Sequence, residues 1–328
     1  MHFLRYLVSK LIYVFLTILI AVIVAFFIFR LLPGDPTLSM LDPRLDPEAR
    51  KEILRSFGLD KPLWEQFILY ITNLFRGELG YSFSYTGMRV TEVILGPRLF
   101  NTIILMTSSI IISAIVGTFL GLLAGWRAGR LFDRVFTGVL YLLFSAPVFW
   151  IALIIQFYLG YVYGILPISG TTSYYGVNVD LWIYISDYIN HLIAPMMTVS
   201  IFLIPSYYIY IRNTTATLRN EDFISALRAY GLSEWRILKN HILRHVLIHT
   251  ISITANQSPL LVTGAVFTET VFGWNGIGRL LYDSILKSDY PVLQGIFLLT
   301  ITVVVIANLL ADISYYFIDP RIKRGVGE

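Results

Sequence analysis

Three histidines, His241, His245 and His249, recur at i, i+4 spacing and align on one helical face, the arrangement from which neighbouring imidazoles reach a single metal ion. No carboxylate stands at a matching position and His191 lies far along the chain, so solvated or backbone-capping histidines are the plainer reading. The absence of cysteine removes disulfides, thiolate metal sites and cysteine nucleophiles. No Gly-x-x-x-x-Gly-Lys-Ser/Thr loop is present to cradle phosphates. These residue types point away from catalysis and toward binding or mechanical work.

The segment suited to such work runs from Asn220 to Arg236 and is polar between long apolar runs. Asn220 can cap a helix whose first turn carries Glu221 and Asp222, where negative charge complements the positive end of the helix dipole. Gly231 can end it. Phe223, Leu227 and Tyr230 fall on one stripe, while Ala226 and Ala229 are small enough for another backbone to approach. Ser233 can cap a second short helix, in which Trp235, Leu238, Ile242 and Val246 share a face opposite Arg236, Lys239 and Asn240. Two helices joined at a glycine make a protruding knob. It is either a docking surface or a plain positively charged connection between two spans.

The elements that position this knob follow from composition. Of 328 residues, 56% are hydrophobic and only 14% charged, against roughly 25% charged in soluble domains. The apolar residues form six runs: Leu11 to Leu32, Asn101 to Gly125, Val135 to Val162, His191 to Ile211, Leu247 to Phe272 and Val292 to Ile318. Each reaches the roughly 20 residues that cross a bilayer as a helix. Arg127, Arg130 and Arg134 link the second and third runs, and Arg212, Arg219, Arg228, Arg236, Lys239 and Arg244 link the fourth and fifth. No Lys or Arg occurs from Tyr163 to Asn190. The excess of basic residues predicts cytoplasmic N- and C-termini and a cytoplasmic knob. The net charge of +4 thus follows membrane topology and is no sign of nucleic-acid binding.

The first run is long for a signal-peptide core and is followed by Leu32-Pro-Gly-Asp-Pro36 without a cleavage signal, so a retained anchor is expected. After it, Pro33 to Phe100 forms a long extracytoplasmic loop. Within that loop, Asp46 with Pro47 and a stop at Gly58 predicts one helix. A second, amphipathic helix is expected from Leu63, Phe67, Tyr70, Ile71, Leu74 and Phe75, lying on the membrane or capping the bundle.

Asn256, Gln257, Thr263 and Glu269 place polar groups in the fifth run, and such groups turn toward a bundle interior or an aqueous path because lipid cannot satisfy them. Hydrogen bonding between helices is the competing reading for Asn256, Gln257 and Asp312. Arg30 can snorkel to the outer interface. Pro147, Pro195, Pro205 and Pro259 remove helix hydrogen bonds inside the proposed spans and permit kinks. Gly264 and the glycines from Gly117 to Gly125 offer close-contact surfaces, with a partner subunit as one candidate neighbour.

Ser225-Ala-Leu-Arg-Ala-Tyr-Gly-Leu-Ser-Glu234 resembles the cytoplasmic docking motif of ATP-binding cassette importer permeases, in the form typical of the dipeptide and oligopeptide (peptide/nickel) family. Ser225 stands where many other importers carry an acid. Leu32–Pro36, Gly58–Gln66, Gly77–Ser82, Leu166–Gly170, Glu269–Leu281, Ser288–Gly295 and Asp319–Ile322 are similar to signatures of the first permease subunit in such systems, so the resemblance covers nearly the whole chain.

The resemblance implies an all-α membrane protein of six transmembrane helices, a single permease domain over residues 1–328, with the extracytoplasmic loop at 33–100 and an ATPase-docking loop at 213–246. Docking falls on Ser225, Ala226, Arg228, Ala229, Gly231, Leu232, Ser233 and Glu234. The implied partners are a second homologous permease subunit, two cytoplasmic ATPase subunits that hold ATP and magnesium, and an extracytoplasmic binding protein. No cofactor or metal is expected in this chain. The expected function is peptide import across the cell membrane by alternating access, with oligosaccharides or nickel complexes as the alternative cargo. A secondary transporter would show inverted repeats or a line of intramembrane charges, and neither is evident.

Overall fold

The computed structural model describes residues 2–31 and 60–318, apart from Thr86, Asn178, Ser258 and Gly264. The helix expected at Asp46 to Gly58 and the signature at Asp319–Ile322 lie outside the described residues. The described elements are helical: α1 (His2–Leu31), α2 (Leu63–Phe75), α3 (Val90–Leu95), α4 (Pro97–Trp126), α5 (Leu131–Ser145), α6 (Val148–Ile155) with a π-helical continuation over Gln156–Val162, and α7 (Leu181–Leu218). Then come α8 (Asp222–Ala229), α9 (Glu234–Ile237) with a π-helical turn over Leu238–Ile242, α10 (Leu243–Asn256), α11 (Leu260–Thr263), α12 (Val266–Val271), α13 (Ile277–Leu286) and α14 (Tyr290–Ile318).

Among the described residues three stretches are long and apolar enough to cross a membrane: Leu7–Arg30, Val90–Trp126 and Leu181–Leu218. The expected third span is a fourth if its two halves count as one, for α5 and α6 meet at a 101° bend. Pro147 causes the break. It has no N–H to donate, and it holds Ala146 in an extended conformation at φ −77°, ψ 136°. The expected fifth span is likewise not one helix, since α10 stops at Gln257 and Pro259 precedes the short α11 and α12. Pro195 and Pro205, in contrast, sit inside the unbroken α7. That helix is 38 residues long, about 57 Å, and so outreaches a hydrocarbon core of about 30 Å.

The chain divides into two compact units. One comprises residues 1–100 and 276–328, the other residues 101–275. In the first, α1 and α14 pack together, and Val90, Val93 and Ile94 of α3 meet Ile277, Leu280, Val292 and Ile296 in a buried cluster. Gly295 allows this approach, because a Cβ there would stand 2.6 Å from Val90 and 2.7 Å from Ile94. Asp289 is fully buried and caps α14 while accepting hydrogen bonds from the Ser82 hydroxyl at 2.5 Å, Phe83 N at 3.1 Å and Ser84 N at 3.0 Å. The amphipathic α2 caps this unit through Phe67 and Tyr70, whose rings lie 5.2 and 5.5 Å from that of Phe26 on α1.

In the second unit α7 is the central post, packed by α5, α6, α10 and α12. Gly117, Gly121 and Gly125 on α4 also face it. A Cβ on Gly117 would stand 2.6 Å from the Tyr207 Cβ, one on Gly121 would stand 2.8 Å from the Tyr208 carbonyl oxygen, and one on Gly125 would collide with the Arg212 carbonyl oxygen. The glycine stripe therefore serves contact within the chain and not, as expected for one candidate neighbour, with a partner subunit. Small residues let two backbones approach where lipid supplies no hydrophobic drive. Polar pairs fasten α4 to its neighbours: Ser113 donates to the Ser200 carbonyl of α7 at 3.2 Å, and Thr118 pairs with Thr250 of α10 at 2.9 Å. At one end of the post, Arg212 forks onto the buried Asp133 at 2.9 and 2.6 Å, and Gly129 N completes that carboxylate at 2.8 Å.

Candidate docking surface

The knob between α7 and α10 is built as a helix, a glycine turn and a second helix. Asn220 does not cap α8. Its N–H closes the end of α7 by donating to the Thr217 carbonyl, and the N-cap position falls to Glu221, without a side-chain cap bond. Gly231 has φ +79°, the left-handed conformation that an L side chain adopts at a cost. Around it, Gly231 N donates to the Arg228 carbonyl at 2.9 Å and Leu232 N to the Leu227 carbonyl at 3.2 Å, the paired bonds of a Schellman stop. Ser233 then occupies the N-cap of α9 in an extended conformation, with no side-chain bond to the helix.

Ile224, Ile237, Leu238, Ile242 and Val246 are buried together with Leu122 and Ile211, which roots the knob in the ends of α4 and α7. Ser225, Ala226, Arg228, Ala229, Gly231, Ser233 and Glu234 are exposed, and Leu232 is half-buried against the cluster. Trp235 does not share the buried face with Leu238, Ile242 and Val246 as expected, but is 61% exposed. The π turn at Leu238–Ile242 widens the spiral and rotates its phase, so Ile237 takes the inward position. Tyr230, at 83% exposure, and Phe223 also project outward, and among that predicted stripe only Leu227 packs inward.

Across the glycine turn the Arg228 guanidinium donates to both Glu234 oxygens, at 2.8 and 3.3 Å, and lies 5.5 Å from the Trp126 ring. This fork ties α8 to α9. Arg228 holds the Glu234 carboxyl below the usual carboxylate range, and Glu234 in turn raises the guanidinium.

The other polar candidates do not converge. Asn256 is exposed and Gln257 half-buried at the broken end of α10, while the side chain of Thr263 lies outside the described residues, as does that of Asp312. Glu269 is fully buried, with Oε1 accepting from the Thr102 hydroxyl at 3.0 Å. Nearby, the buried Trp274 donates from Nε1 to the Asn101 carbonyl at 3.2 Å, and Asn101 Nδ2 donates to the Asn275 carbonyl at 2.8 Å. Asn101 and Trp274 are fasteners that the apolar pattern hides. The three histidines are split: His249 lies against Tyr210 and His245 against Phe223. Among the described residues no three His, Cys, Asp or Glu side chains gather in a metal-holding group.

A helical membrane protein that exposes a braced knob has the form of a transport component. The chain belongs to the family described as binding-protein-dependent transport system inner membrane component, whose profile matches residues 117–324, and the N-terminal component of that family matches residues 3–95. It is a membrane permease. Over 319 residues it is 30% identical to the dipeptide transport system permease protein DppB of Escherichia coli (strain K12), covering 92% of this chain and 94% of that one. It is 32% identical over 301 residues to the oligopeptide transport system permease protein AppB of Bacillus subtilis (strain 168), covering 92% and 93%. A probable peptide ABC transporter permease, y4tP of Sinorhizobium fredii, is 33% identical over 310 residues, covering 94% and 96%.

Proposed function

We propose that this chain is the membrane half of an ATP-driven importer of dipeptides and oligopeptides, and that Ser225, Ala226, Arg228, Ala229, Gly231, Leu232, Ser233 and Glu234 form the seat for a separate ATPase subunit. The chain crosses the membrane six times with both termini in the cytoplasm. A second, homologous permease completes the path, two ATPase subunits hold ATP and magnesium, and an extracytoplasmic binding protein delivers the peptide. The peptide cargo is supported by the names of the relatives.

One observation carries the docking reading: the knob is exposed on its motif face, rooted by Ile224 and Ile237, and braced by the Arg228–Glu234 fork. A surface that is both rigid and rooted transmits a push. Closure of the motor subunits moves the knob, α7 carries the displacement into the membrane, and the two states of the path differ in their contacts with the motor, as coupling requires. Asn256, Gln257, Thr263 and Glu269, on the broken fifth span, are the polar residues proposed for the translocation path.

The test is Gly231→Val in the reconstituted importer. A β-branched residue at φ +79° costs at least about 1–2 kcal/mol, and no neighbour lies within 4 Å of the added Cβ, so the strain stays in the turn. The variant should insert normally but lose peptide uptake per ATP hydrolysed. Wild-type uptake and wild-type stimulation of hydrolysis would reject the docking role.

A further inference from the structure

Beside the knob, in the same compact unit, a cavity of about 520 Å³ is lined by Arg127, Arg130, Arg219 and Arg228 with a single carboxylate, Glu234. Arg228 occupies that carboxylate, at 2.8 Å. No carboxylate stands within ion-pair distance of Arg127, Arg130 or Arg219 among the described residues. Leu123, Trp235 and Leu238 form one wall of this basic cavity and also line a second space, an apolar groove of about 420 Å³. The groove follows α4 back to Ala114 and is bounded by Leu243 and Leu247 of α10. From Leu123 to Ala114 it runs about 13 Å along the helix.

We propose that the adjoining pocket and groove bind one anionic phospholipid, its phosphate among the arginines and an acyl chain along α4 and α10. The inference rests on the cytoplasmic placement of the knob proposed above. Charge complementarity selects an anion, and the apolar extension selects one with a hydrocarbon tail. Basic pockets between helices at the cytoplasmic surface suit anionic headgroups, and Trp126 and Trp235 in the lining suit the interface. A small free oxyanion would leave the groove unused, and an acidic protein segment would have to bury a polar backbone in it. The bound phosphate sits next to the Arg228–Glu234 brace, so lipid occupancy stiffens the knob and makes motor coupling depend on the anionic lipid content of the membrane.

The full chain in detergent is titrated with phosphatidylglycerol, phosphatidylcholine and inorganic phosphate, and retained lipid is quantified by mass spectrometry. Phosphatidylglycerol should be retained over phosphatidylcholine, and inorganic phosphate should not displace it. Arg127→Gln with Arg130→Gln should weaken retention about fivefold per charge removed, whereas Arg134→Gln with Arg236→Gln, outside the pocket, should leave it unchanged. Equal retention of the two lipids by the parent chain overturns the proposal, as does displacement by phosphate, which marks a free-oxyanion site. Loss of ATPase-subunit binding in the pocket variant with lipid retention unchanged overturns it in favour of a protein carboxylate. Labelling of Asn240→Cys, in a chain without other cysteines, separates the premises: labelling from outside rejects the orientation, and labelling from inside without lipid preference rejects the lipid site alone.

Discussion

Arg228 and Glu234 show how much a residue's meaning depends on its neighbour. In the sequence both belong to one motif six residues apart, and the serine at its head, Ser225, leaves the knob without the acid that many importers place there. In the fold Glu234 supplies the carboxylate, but it is engaged by Arg228 across the glycine turn. A carboxyl with a depressed pKa contributes stability that is fully present above its ordinary range and lost as pH falls through the lowered value. Both groups are more than a third exposed, so screening limits the pair to less than about 1 kcal/mol. Glu234→Gln should therefore lower the thermal stability of the detergent-solubilised chain slightly at pH 7, and the difference from the parent should close as pH drops below the carboxylate range. A constant difference across that range would show that the fork does not stabilise the knob.

Among the elements, α4 and α7 form the contact least tolerant of change. Glycines four residues apart on α4 let Tyr207, Tyr208 and Ile211 of α7 come within backbone range. Gly121→Leu inserts a side chain where even a Cβ would stand 2.8 Å from a carbonyl oxygen and 3.0 Å from the Ile211 Cβ. Overpacking of this kind costs about 1–3 kcal/mol, with more where backbone must move. The variant should show a lower yield of folded protein and a lower inactivation temperature, whereas Gly138→Leu, with open space around it, should show neither. Small-xxx-small spacing was legible in the sequence. Its partner was not, because the pattern states that a close neighbour exists without saying which one.

For the whole molecule, the proposed function has energy enter through contact with a separate ATPase subunit. The purified chain alone should hydrolyse no ATP, and hydrolysis should be measurable only after ATPase subunits are added. Turnover by the pure chain would sink the division of labour proposed here. The signatures scattered along the sequence meet in the fold: Gly77–Ser82 is fastened to Ser288–Gly295 through Asp289 in one unit, and Leu166–Gly170 to Glu269–Asn275 in the other, where Gly170 N donates to the Phe272 carbonyl at 2.9 Å. Segments that resemble family signatures are thus joints between distant parts of the chain. The capping Asp289 was open to sequence reading, since an acid two residues before a proline at the head of an apolar run is a helix start. Trp274 and Asn101 carried no such signal.

Composition and the apolar runs were sufficient by themselves to indicate a helical membrane protein, because hydropathy is a local property that a chain displays before it folds, and the resemblance of Ser225–Glu234 to a family motif pointed to a permease. Where the helices break, which face of the knob is buried and what the glycine stripe touches were decided only in three dimensions. A missing N–H at Pro147 does not say whether a helix bends or carries on, as Pro195 and Pro205 show by sitting within α7. The neighbours that satisfy or fail to satisfy the freed carbonyl make that choice. A π turn of five residues likewise put Trp235 out of phase with Leu238, Ile242 and Val246, because it shifts the residues before it relative to those after it without leaving a mark in the hydrophobic pattern.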